Sequence, residues 1–569
     1  MNGRMKKYIL TAFLFSLFLG LEAGQLEKSV LLQTLEQELQ RCNRILTEKA
    51  DPKPYFLSYH VTEIDQMSVH GTLGALKQSF RNRSRRLDID VRVGDYQLDS
   101  THRTQDPRGA FSRADFPQSV EIPLEDDPDA IRSAIWLETE RRYRSATERY
   151  IKIKGNQAVA IEAEDKSADF SRETPRQAMM QLAAISPDVS EWEKRIKSYS
   201  SFFRQYPEIL DSFVELSAFS ANKYFVNSEG TSIQFGAPHF RLSIYATTKA
   251  EDGMDLDRFE AFTTRSEAGL PDDLLIRQSL QKIVDDLKAL KAARVVEPYT
   301  GPAILSGRAS GVFFHEIFGH RIEGHRQKDE KEGQTFSKKI NEIVLPDFIS
   351  VIDDPTQKKW QEIDLNGSYS FDDEGVQSER VEVVKNGVLR NFLMSRSPVA
   401  GFEKSNGHGR RSPGRSATGR QGNLIVSASN MVSREELRKM LIDECKKQDK
   451  PYGLLFDDIQ GGFTMTSRAA PQAFQVTPVM VYRVFADGRP DELVRGVDLI
   501  GTPLTSFSKI VAADDQVEVF NGNCGAESGW VPVAAVSPAI LTSQIEIQKK
   551  AKSSERLPVL PSPLEEDLK

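Results

Sequence analysis

The sequence predicts an α+β protein, with an N-terminal α/β-type region of helices on a curved sheet and a mainly antiparallel β domain after it. Through the first half, stretches with apolar residues at helical spacing are interleaved with runs that alternate apolar and polar residues. In the second half, two-residue turn signals separate alternating runs, which is typical of hairpins. The chain has 569 residues, 39% apolar and 28% charged, so it can form two or three separate cores.

The N-terminus has the pattern of a secretory signal. Three basic residues precede an apolar run at residues 8–21, and two small residues follow it. We therefore expect a signal peptide at residues 1–24 and a periplasmic or secreted protein. The run is shorter than the roughly 20 residues that span a bilayer. The position where cleavage favours a small residue holds Leu21 or Glu22, so an uncleaved membrane anchor stays open, as does a cytoplasmic location if the segment is not a signal.

Residues 25–300, the N-terminal and middle region, interleave predicted helices and strands without a repeat. The predicted helices are LEKSVLLQTLEQELQRCNRIL, residues 126–152, residues 174–200 and DLLIRQSLQKIVDDLKALKAA. The predicted strands are residues 55–64 and 87–98, and a hairpin is expected to turn at residues 228–230.

This region also contains an arginine cluster and ends at a predicted domain boundary. The arginine cluster at residues 81–86 is interpreted as a solvated loop, because Asp88 and Asp90 follow it directly. Pro298 and Pro302 mark the predicted boundary to the next domain.

The C-terminal domain is expected to cover residues 301–548. Asn386-Gly387 and Asp487-Gly488 each lie between two alternating runs, which predicts two-residue hairpin turns. A helix is expected after Ser433, because a glutamate follows three positions later and completes a capping box. Residues 549–569 are rich in proline and charge and are expected to be disordered.

Charge and cysteine content narrow the class of protein. The net charge of -7 argues against a nucleic-acid partner, since such proteins usually have a concentrated basic surface. Three cysteines do not make a disulfide framework. Cys42 and Cys445 lie in helix-like sequence and are interpreted as small buried residues. Cys524 instead lies in the glycine-rich segment FNGNCGAESGW.

The segment SGVFFHEIFGHRIEGH combines His315, Glu316 and His320. Neutral imidazoles suit Zn²⁺, and a carboxylate beside them can accept a proton from water. The histidines are five residues apart, so a regular α-helix would rotate one from the other by about 140°. A zinc site therefore requires a break in the helix, which Gly319 would permit.

Alternatives stay open at this segment. The histidines can be packing residues of a core helix that is rich in phenylalanine. Glu323 and His325 can also serve as ligands, although Glu323 is interpreted as the partner that orients an imidazole through its second nitrogen.

Five motifs in order resemble the TldD/PmbA family, specifically its metal-bearing TldD branch. They are SGVFFHEIFGHRIEGH, SYSFDDEGVQSERVEVVKNGVLRNFLMSR, SNGHGRR, GGFTMTS and FNGNCGAESGWVPV, and they cover roughly residues 301–548. The sequence departs from the family pattern after Cys524, where Ala526 and Trp530 stand in place of a common Lys and Gln.

The resemblance implies a zinc-dependent peptidase that cleaves flexible or unfolded peptides. It implies that His315, His320 and Cys524 are the Zn²⁺ ligands, on a metal-binding helix and a late loop, and that Glu316 is the general base for a zinc-bound water. It also implies a dimer, formed with a second copy or with a related subunit that lacks the metal motif.

Two further interpretations accompany the resemblance. Asp372, Asp373, Arg410 and Arg411 can contact substrate or stabilise an oxyanion, or they can be ordinary charged turns. A rival to the peptidase is an exported assembly or binding protein with a structural zinc site, in which a fourth protein ligand would close the coordination shell.

Overall fold

The computed structural model describes residues 27–102, 118–157, 165–329, 332–468, 474–501, 506–550 and 560–564. The predicted signal peptide lies outside the described residues, as does most of the predicted disordered tail. Within the described ranges, no helix is both long and apolar enough to cross a membrane.

A seven-stranded sheet forms the first part of the molecule. Its strands are β1 (Pro54–Thr72), β2 (Ala75–Val93), β3 (Val120–Glu121), β4 (Gln177–Met179), β5 (Asp211–Asn227), β6 (Ser232–Lys249) and β7 (Asp255–Thr264). The order is β3-β2-β1-β5-β6-β4, and β7 also pairs with β6. All the pairs are antiparallel except β4 with β6.

Four helices cover one face of this sheet. They are α1 (Val30–Lys49), α2 (Pro128–Gln157), α3 (Val189–Ser200) and α4 (Asp273–Ala292). Tyr59 and Val61 of β1 pack with α1 and α2. Met67 and Val69 pack in the cluster that contains α3 and α4. Side chains alternate along a strand, so these odd-numbered residues of β1 share a face, and the opposite face is left for the rest of the chain.

The second part is built on a 13-stranded mixed sheet and two small sheets. Its strands are β8 (Arg294–Val295), β9 (Tyr299–Leu305), β10 (Ile349–Asp353), β11 (Lys359–Trp360), β12 (Ile363–Asp364), β13 (Val381–Lys385), β14 (Val388–Leu389), β15 (Gly409–Arg410), β16 (Thr418–Gly419), β17 (Asn423–Ala428), β18 (Met431–Val432), β19 (Tyr452–Thr464), β20 (Phe474–Phe485), β21 (Glu492–Arg495), β22 (Val497–Gly501), β23 (Ile510–Ala526) and β24 (Gly529–Lys549). The long β23–β24 hairpin and β9 lie beside helix α5 (Gly307–Ile317). Two more helices are α6 (His325–Lys328) and α7 (Arg434–Lys447).

The predicted α+β class is confirmed, and so are the strongest local signals. Asn386 and Gly387 both have positive φ in the turn between β13 and β14, as a type I′ turn requires. The Ser433 side chain accepts the Glu436 backbone N–H at the start of α7. The second sheet is less uniformly antiparallel than expected, because four of its strand pairs are parallel.

Three local predictions are wrong. Asp487-Gly488 was expected to form a two-residue hairpin turn, but β20 ends at Phe485 and β21 begins at Glu492, so the longer loop 486–491 joins the two strands. Residues 174–200 were expected to be one helix, but they contain strand β4 and only the 12-residue helix α3, which Asp188 caps. The arginine cluster at residues 81–86 is part of strand β2 rather than a loop. Arg85 is buried there and pairs with Glu63 and Asp126. The domain boundaries themselves stay a prediction.

Candidate metal centre

Helix α5 carries the first candidate ligand, His315, and the candidate base, Glu316, into the interior. Ser306 caps the helix by accepting the Ala309 N–H. The helix is buried almost all round because it packs against β24, β19 and β23. Gly311 allows this approach, since a Cβ there would lie 3.2 Å from the Cβ of Ala535. His315 and Glu316 are in its last turn.

The α-helix ends at Ile317, and the chain continues as a 3₁₀ turn over Gly319–Arg321. The Arg321 N–H donates to the Phe318 carbonyl three residues back, at 2.9 Å. His320 therefore no longer follows the α-helical path of His315, and the two ring centroids lie 5.2 Å apart. The break that the five-residue spacing required is therefore present.

Gly319 serves this break through space rather than through backbone freedom. Its φ is not in the left-handed region, but a Cβ at this position would lie 1.9 Å from Oε1 of Gln421. The Gln421 amide in turn donates to the carbonyl oxygen of His315 at 3.3 Å. The close approach of Gln421 therefore requires glycine here.

Strand β23 brings Cys524 to the two histidines. Its Sγ lies 3.3 Å from Nε2 of His320. One ligand atom from each of His315, His320 and Cys524 lies within 4.8 Å of the others, and all three residues are buried. Two predicted imidazole donors and a thiol 204 residues away thus meet at one point.

Glu316 faces the same point from the cavity side. One of its carboxylate oxygens lies 3.9 Å from Nε2 of His320. Glu316, His315, His320 and Cys524 all line a cavity of about 1190 Å³. The cavity walls include consecutive residues of β7, the glycine-containing end of β19 and the end of β23. A carboxylate and the three clustered residues therefore share the wall of a space large enough for a peptide.

The electrostatics of the cluster favour a thiolate. Burial raises the pKa of Cys524, but the charges of His320 and His315 and their hydrogen bonds outweigh it, so the pKa lies well below its usual value. Burial lowers the pKa of both imidazoles, yet the neighbouring Cys524 reverses the shift and raises them. A metal ion binds the thiolate and the neutral imidazoles, so a bound cation would take the place of the imidazole protons.

A second layer of charges supports the ligands. Nδ1 of His320 lies 3.2 Å from Oε1 of Glu323, and the same oxygen lies 3.3 Å from Nε of Arg420. Arg326 pairs with the other Glu323 oxygen at 2.8 Å. Burial raises the pKa of Glu323, but His320 and the two arginines outweigh it and lower it to about 2. Glu323 therefore contacts the imidazole of His320 at Nδ1, the nitrogen that does not face Cys524.

His325 belongs to a different group. Its Nε2 bonds to Glu527, and Arg326 donates to the other oxygen of Glu527 at 3.0 Å. Glu323, His325 and Glu527 lie close together, but Arg326 pairs with both carboxylates. One oxygen of each carboxylate is therefore already paired with the Arg326 guanidinium.

The four charged residues predicted to contact substrate lie elsewhere. None of Asp372, Asp373, Arg410 and Arg411 lines the cavity, and all four are buried or nearly so. Asp372 accepts three backbone N–H bonds within its own loop and from Gly409. Arg410 donates to the Gln421 carbonyl at 2.5 Å.

Asp373 and Arg411 connect this loop with the uncovered face of the first sheet. Asp373 pairs with Lys223 of β5. Arg411 pairs with Asp88 of β2 at 2.8 Å and donates to His60 of β1. These contacts join the two parts of the molecule, and the contact of the four residues with substrate stays a prediction.

Arg420 and Gln421 were not singled out from the sequence. They lie in the short run SATGRQGN, about 100 residues from either ligand segment, and no spacing rule points to them. Only the folded arrangement of β16, the loop after it and β23 brings them to the cluster.

Comparison with known proteins agrees with this fold. Residues 298–549 match the family model described as the PmbA/TldA metallopeptidase C-terminal domain. A metalloprotease of Methanothermobacter thermautotrophicus is 27% identical over 343 residues, which cover 58% of this chain and 67% of that protein. One of Archaeoglobus fulgidus is 26% identical over 394 residues, 69% and 81% of the two chains. A protein of Saccharolobus solfataricus named zinc metalloprotease TldD homolog is 23% identical over 378 residues, 64% and 74% of the two chains.

A solved structure shares the architecture. TldE from Thermococcus kodakarensis superposes with a TM-score of 0.59 at 14% identity, covering 90% of this chain and all of that one. The fold and the site define a two-part α+β protein with a buried histidine-histidine-cysteine cluster beside a large cavity. The family model over residues 298–549 and the named relatives show that this chain is similar to the TldD/PmbA metallopeptidases.

Proposed function

We propose that this protein is an exported zinc-dependent peptidase that hydrolyses flexible or unfolded peptides. The observation that carries the proposal is the convergence of His315, His320 and Cys524 on one point of the cavity wall, with Glu316 beside them. The relatives' metalloprotease names, one of which specifies zinc, agree with it.

The donor atoms fit a zinc ion. In a tetrahedral site with Zn–N of about 2.0 Å and Zn–S of about 2.3 Å, nitrogen and sulfur lie about 3.5 Å apart. The 3.3 Å between Cys524 Sγ and His320 Nε2 is close to this value. A thiolate with two neutral imidazoles would leave a net charge near +1. When bound, Zn²⁺ would supply a Lewis acid that lowers the pKa of a coordinated water to about 7.

The chain's own residues would then move the protons. Glu316 would accept a proton from the attacking water and return it to the leaving amine, which is the usual exchange for a carboxylate in this position. Glu323 would hold the imidazole of His320 in orientation through Nδ1, at 3.2 Å. The apolar side of α5, with Phe313 and Phe314 buried, would keep bulk water away from the ligands behind the cavity.

The shape of the cavity supports an extended substrate. Among the described strands, β7 pairs with β6 alone, and residues 259–264 of β7 line the cavity in sequence. An extended peptide can add to such an edge through main-chain hydrogen bonds, which do not depend on its side chains. A segment of an unfolded chain can adopt that conformation, whereas a folded domain presents few free strands.

The rival function, a binding protein with a structural zinc site, requires a fourth protein ligand. Among the described residues, the cluster that includes Cys524 has three members. Glu323 and His325, the predicted candidates for a fourth place, pair instead with arginine and with Glu527. This arrangement favours the peptidase, because a place at the metal remains for water.

The test uses purified protein, an unfolded protein substrate and a Glu316→Gln variant. We expect stoichiometric zinc in both forms and a loss of peptide cleavage of roughly 10²- to 10⁴-fold in the variant. Glu362→Gln, which changes an exposed carboxylate in the same cavity, is the matched control and should keep wild-type activity. Full activity of Glu316→Gln would refute the proposed base, and cleavage that resists a chelator would refute the metal.

Location and assembly complete the proposal. We propose export through the first 24 residues, which fractionation of cells making the full chain and a form without those residues would test. We also propose a dimer, either of two copies or with a subunit like TldE, to which this fold is similar. A monomer by light scattering, both alone and with the candidate subunit, would contradict it.

A further inference from the structure

We propose that Arg420 is a positioning residue for the metal centre, which fixes the Cys524 sulfur directly and the His320 imidazole through Glu323. The inference rests on the proposed metal site and adds a residue that neither the motif nor the family pattern singles out. It concerns how the ligands are held rather than which atoms bind.

The guanidinium of Arg420 holds the Cys524 side of the site. It is fully buried and donates to Cys524 Sγ at 3.1 Å and to the Cys524 carbonyl at 2.9 Å. Its other terminal nitrogen donates to Ser528 Oγ at 2.8 Å and to the Gly529 carbonyl at 3.2 Å. One rigid fork therefore binds both sides of the β23–β24 turn and the sulfur itself.

The third nitrogen extends the contact to the histidine side. Nε of Arg420 lies 3.3 Å from the Glu323 oxygen that faces Nδ1 of His320. Two ligands from segments 204 residues apart are thus connected through one arginine and one carboxylate. Rotation of either ligand away from the shared point would break a buried ionic contact.

The same geometry predicts an electronic effect. An N–H that donates to a thiolate withdraws charge from the sulfur, so the sulfur donates less charge to the metal and the metal stays a stronger Lewis acid. A lysine at position 420 would keep the positive charge. Its single ammonium would not reach the sulfur, the turn carbonyls and Glu323 together, because it lacks the planar fork.

The experiment measures Co²⁺ and Zn²⁺ binding by the Arg420→Lys variant of the full chain. We expect a 10- to 100-fold loss of Zn²⁺ affinity in competition with a chromophoric chelator, the range typical for partners of metal ligands. We also expect a shift of the thiolate-to-cobalt charge-transfer band in the Co²⁺-loaded protein. A purely structural role would not move this band.

Arg396→Lys is the matched control. Arg396 is also fully buried and pairs with Glu229 and the Ser171 carbonyl, and it does not line the cavity. This control should lose stability without a change in the band. An unchanged affinity and band in folded Arg420→Lys would overturn the inference.

A second variant covers the case in which Arg420→Lys does not fold. Glu323→Gln removes the charge between Arg420 and His320 but leaves the hydrogen bond to the sulfur. We expect weaker Zn²⁺ binding with the charge-transfer band near its wild-type position, and unchanged binding would overturn the connection. If the wild-type protein binds neither Zn²⁺ nor Co²⁺, the proposed function fails. If the wild-type protein and the Arg420→Lys variant bind both ions equally well, only the role of Arg420 fails.

Discussion

Two groups of charged residues looked alike in the sequence and differ in the structure. The ligand cluster around Cys524 meets at the wall of the large cavity. The group around Asp373 and Arg411 lies away from that cavity, between the second part of the chain and the free face of the first sheet. Both groups are buried, so burial alone does not separate a reactive site from a structural one.

The difference is in how the charges are paired. Asp373 faces Lys223, and Arg411 faces Asp88, so the charges are balanced by opposite ones. Burial raises the pKa of Asp373, but Lys223, His60 and Arg411 outweigh it and lower the pKa well below its usual range. At the candidate metal centre, a sulfur and two imidazole nitrogens meet instead. Charges that pair fully hold a fold together, whereas converging electron-pair donors can bind a cation.

Removal of a ligand should have the largest effect. Cys524→Ala deletes one of three donors, and we expect the purified variant to lack stoichiometric zinc and to lose essentially all peptidase activity. Metal analysis and a peptide-cleavage assay measure these two quantities. Cys445→Ala, which removes the thiol of a buried cysteine within α7, is the control that should keep both. If Cys524→Ala retained stoichiometric zinc, Cys524 would not be a ligand, and the ligand cluster would no longer differ from the ionic group in binding a metal.

The ionic group should affect stability rather than chemistry. Asp373→Asn leaves the Lys223 ammonium without its partner. Breaking a fully buried pair costs about 3–5 kcal/mol, and we expect a smaller loss here because the Lys223 side chain is 28% exposed. We expect a lower free energy of unfolding by denaturant and wild-type zinc content and activity in the fraction that stays folded. Loss of activity at full stability would instead return Asp373 to the substrate site.

Gly319 tests the connection between backbone approach and the ligand cluster. Gly319→Ala places a Cβ 1.9 Å from Gln421 Oε1, so either the 3₁₀ turn or Gln421 must move. We expect roughly 10-fold weaker Zn²⁺ binding, as for other changes beside metal ligands. The double variant with Gln421→Ala should recover part of the affinity, because the clash is gone. If the double variant recovered no affinity, the loss in Gly319→Ala would come from a changed backbone conformation and not from the clash with Gln421.

The smallest effect is a pH dependence of stability. The pKa of Asp373 is lowered on folding, so this residue stabilises the protein above the unfolded value of about 3.9, and the stabilisation is lost as the pH falls through the folded value. The difference in unfolding free energy between wild type and Asp373→Asn should therefore be full at pH 6 and shrink below pH 4. A difference that stays constant down to pH 3 would contradict the ion pair.

The local patterns of the sequence predicted much of the fold. The hairpin at Asn386-Gly387 and the capping of α7 by Ser433 depend on neighbouring residues, so they are readable from a short window. The helix expected over residues 174–200 was wrong, because part of that segment pairs with β6 as β4. Tertiary pairing there outweighed local preference.

The sequence by itself determined that His315 and His320 need a broken helix, because helical geometry is fixed by the backbone. The resemblance, rather than spacing, pointed to Cys524. Glu323 was also expected from the sequence to orient an imidazole. Only the tertiary structure decided that Arg420 contacts the Cys524 sulfur and that Asp373 and Arg411 do not line the cavity. The physical reason is that a charged side chain acts through the groups within a few ångströms of it, and chain distance does not specify those groups.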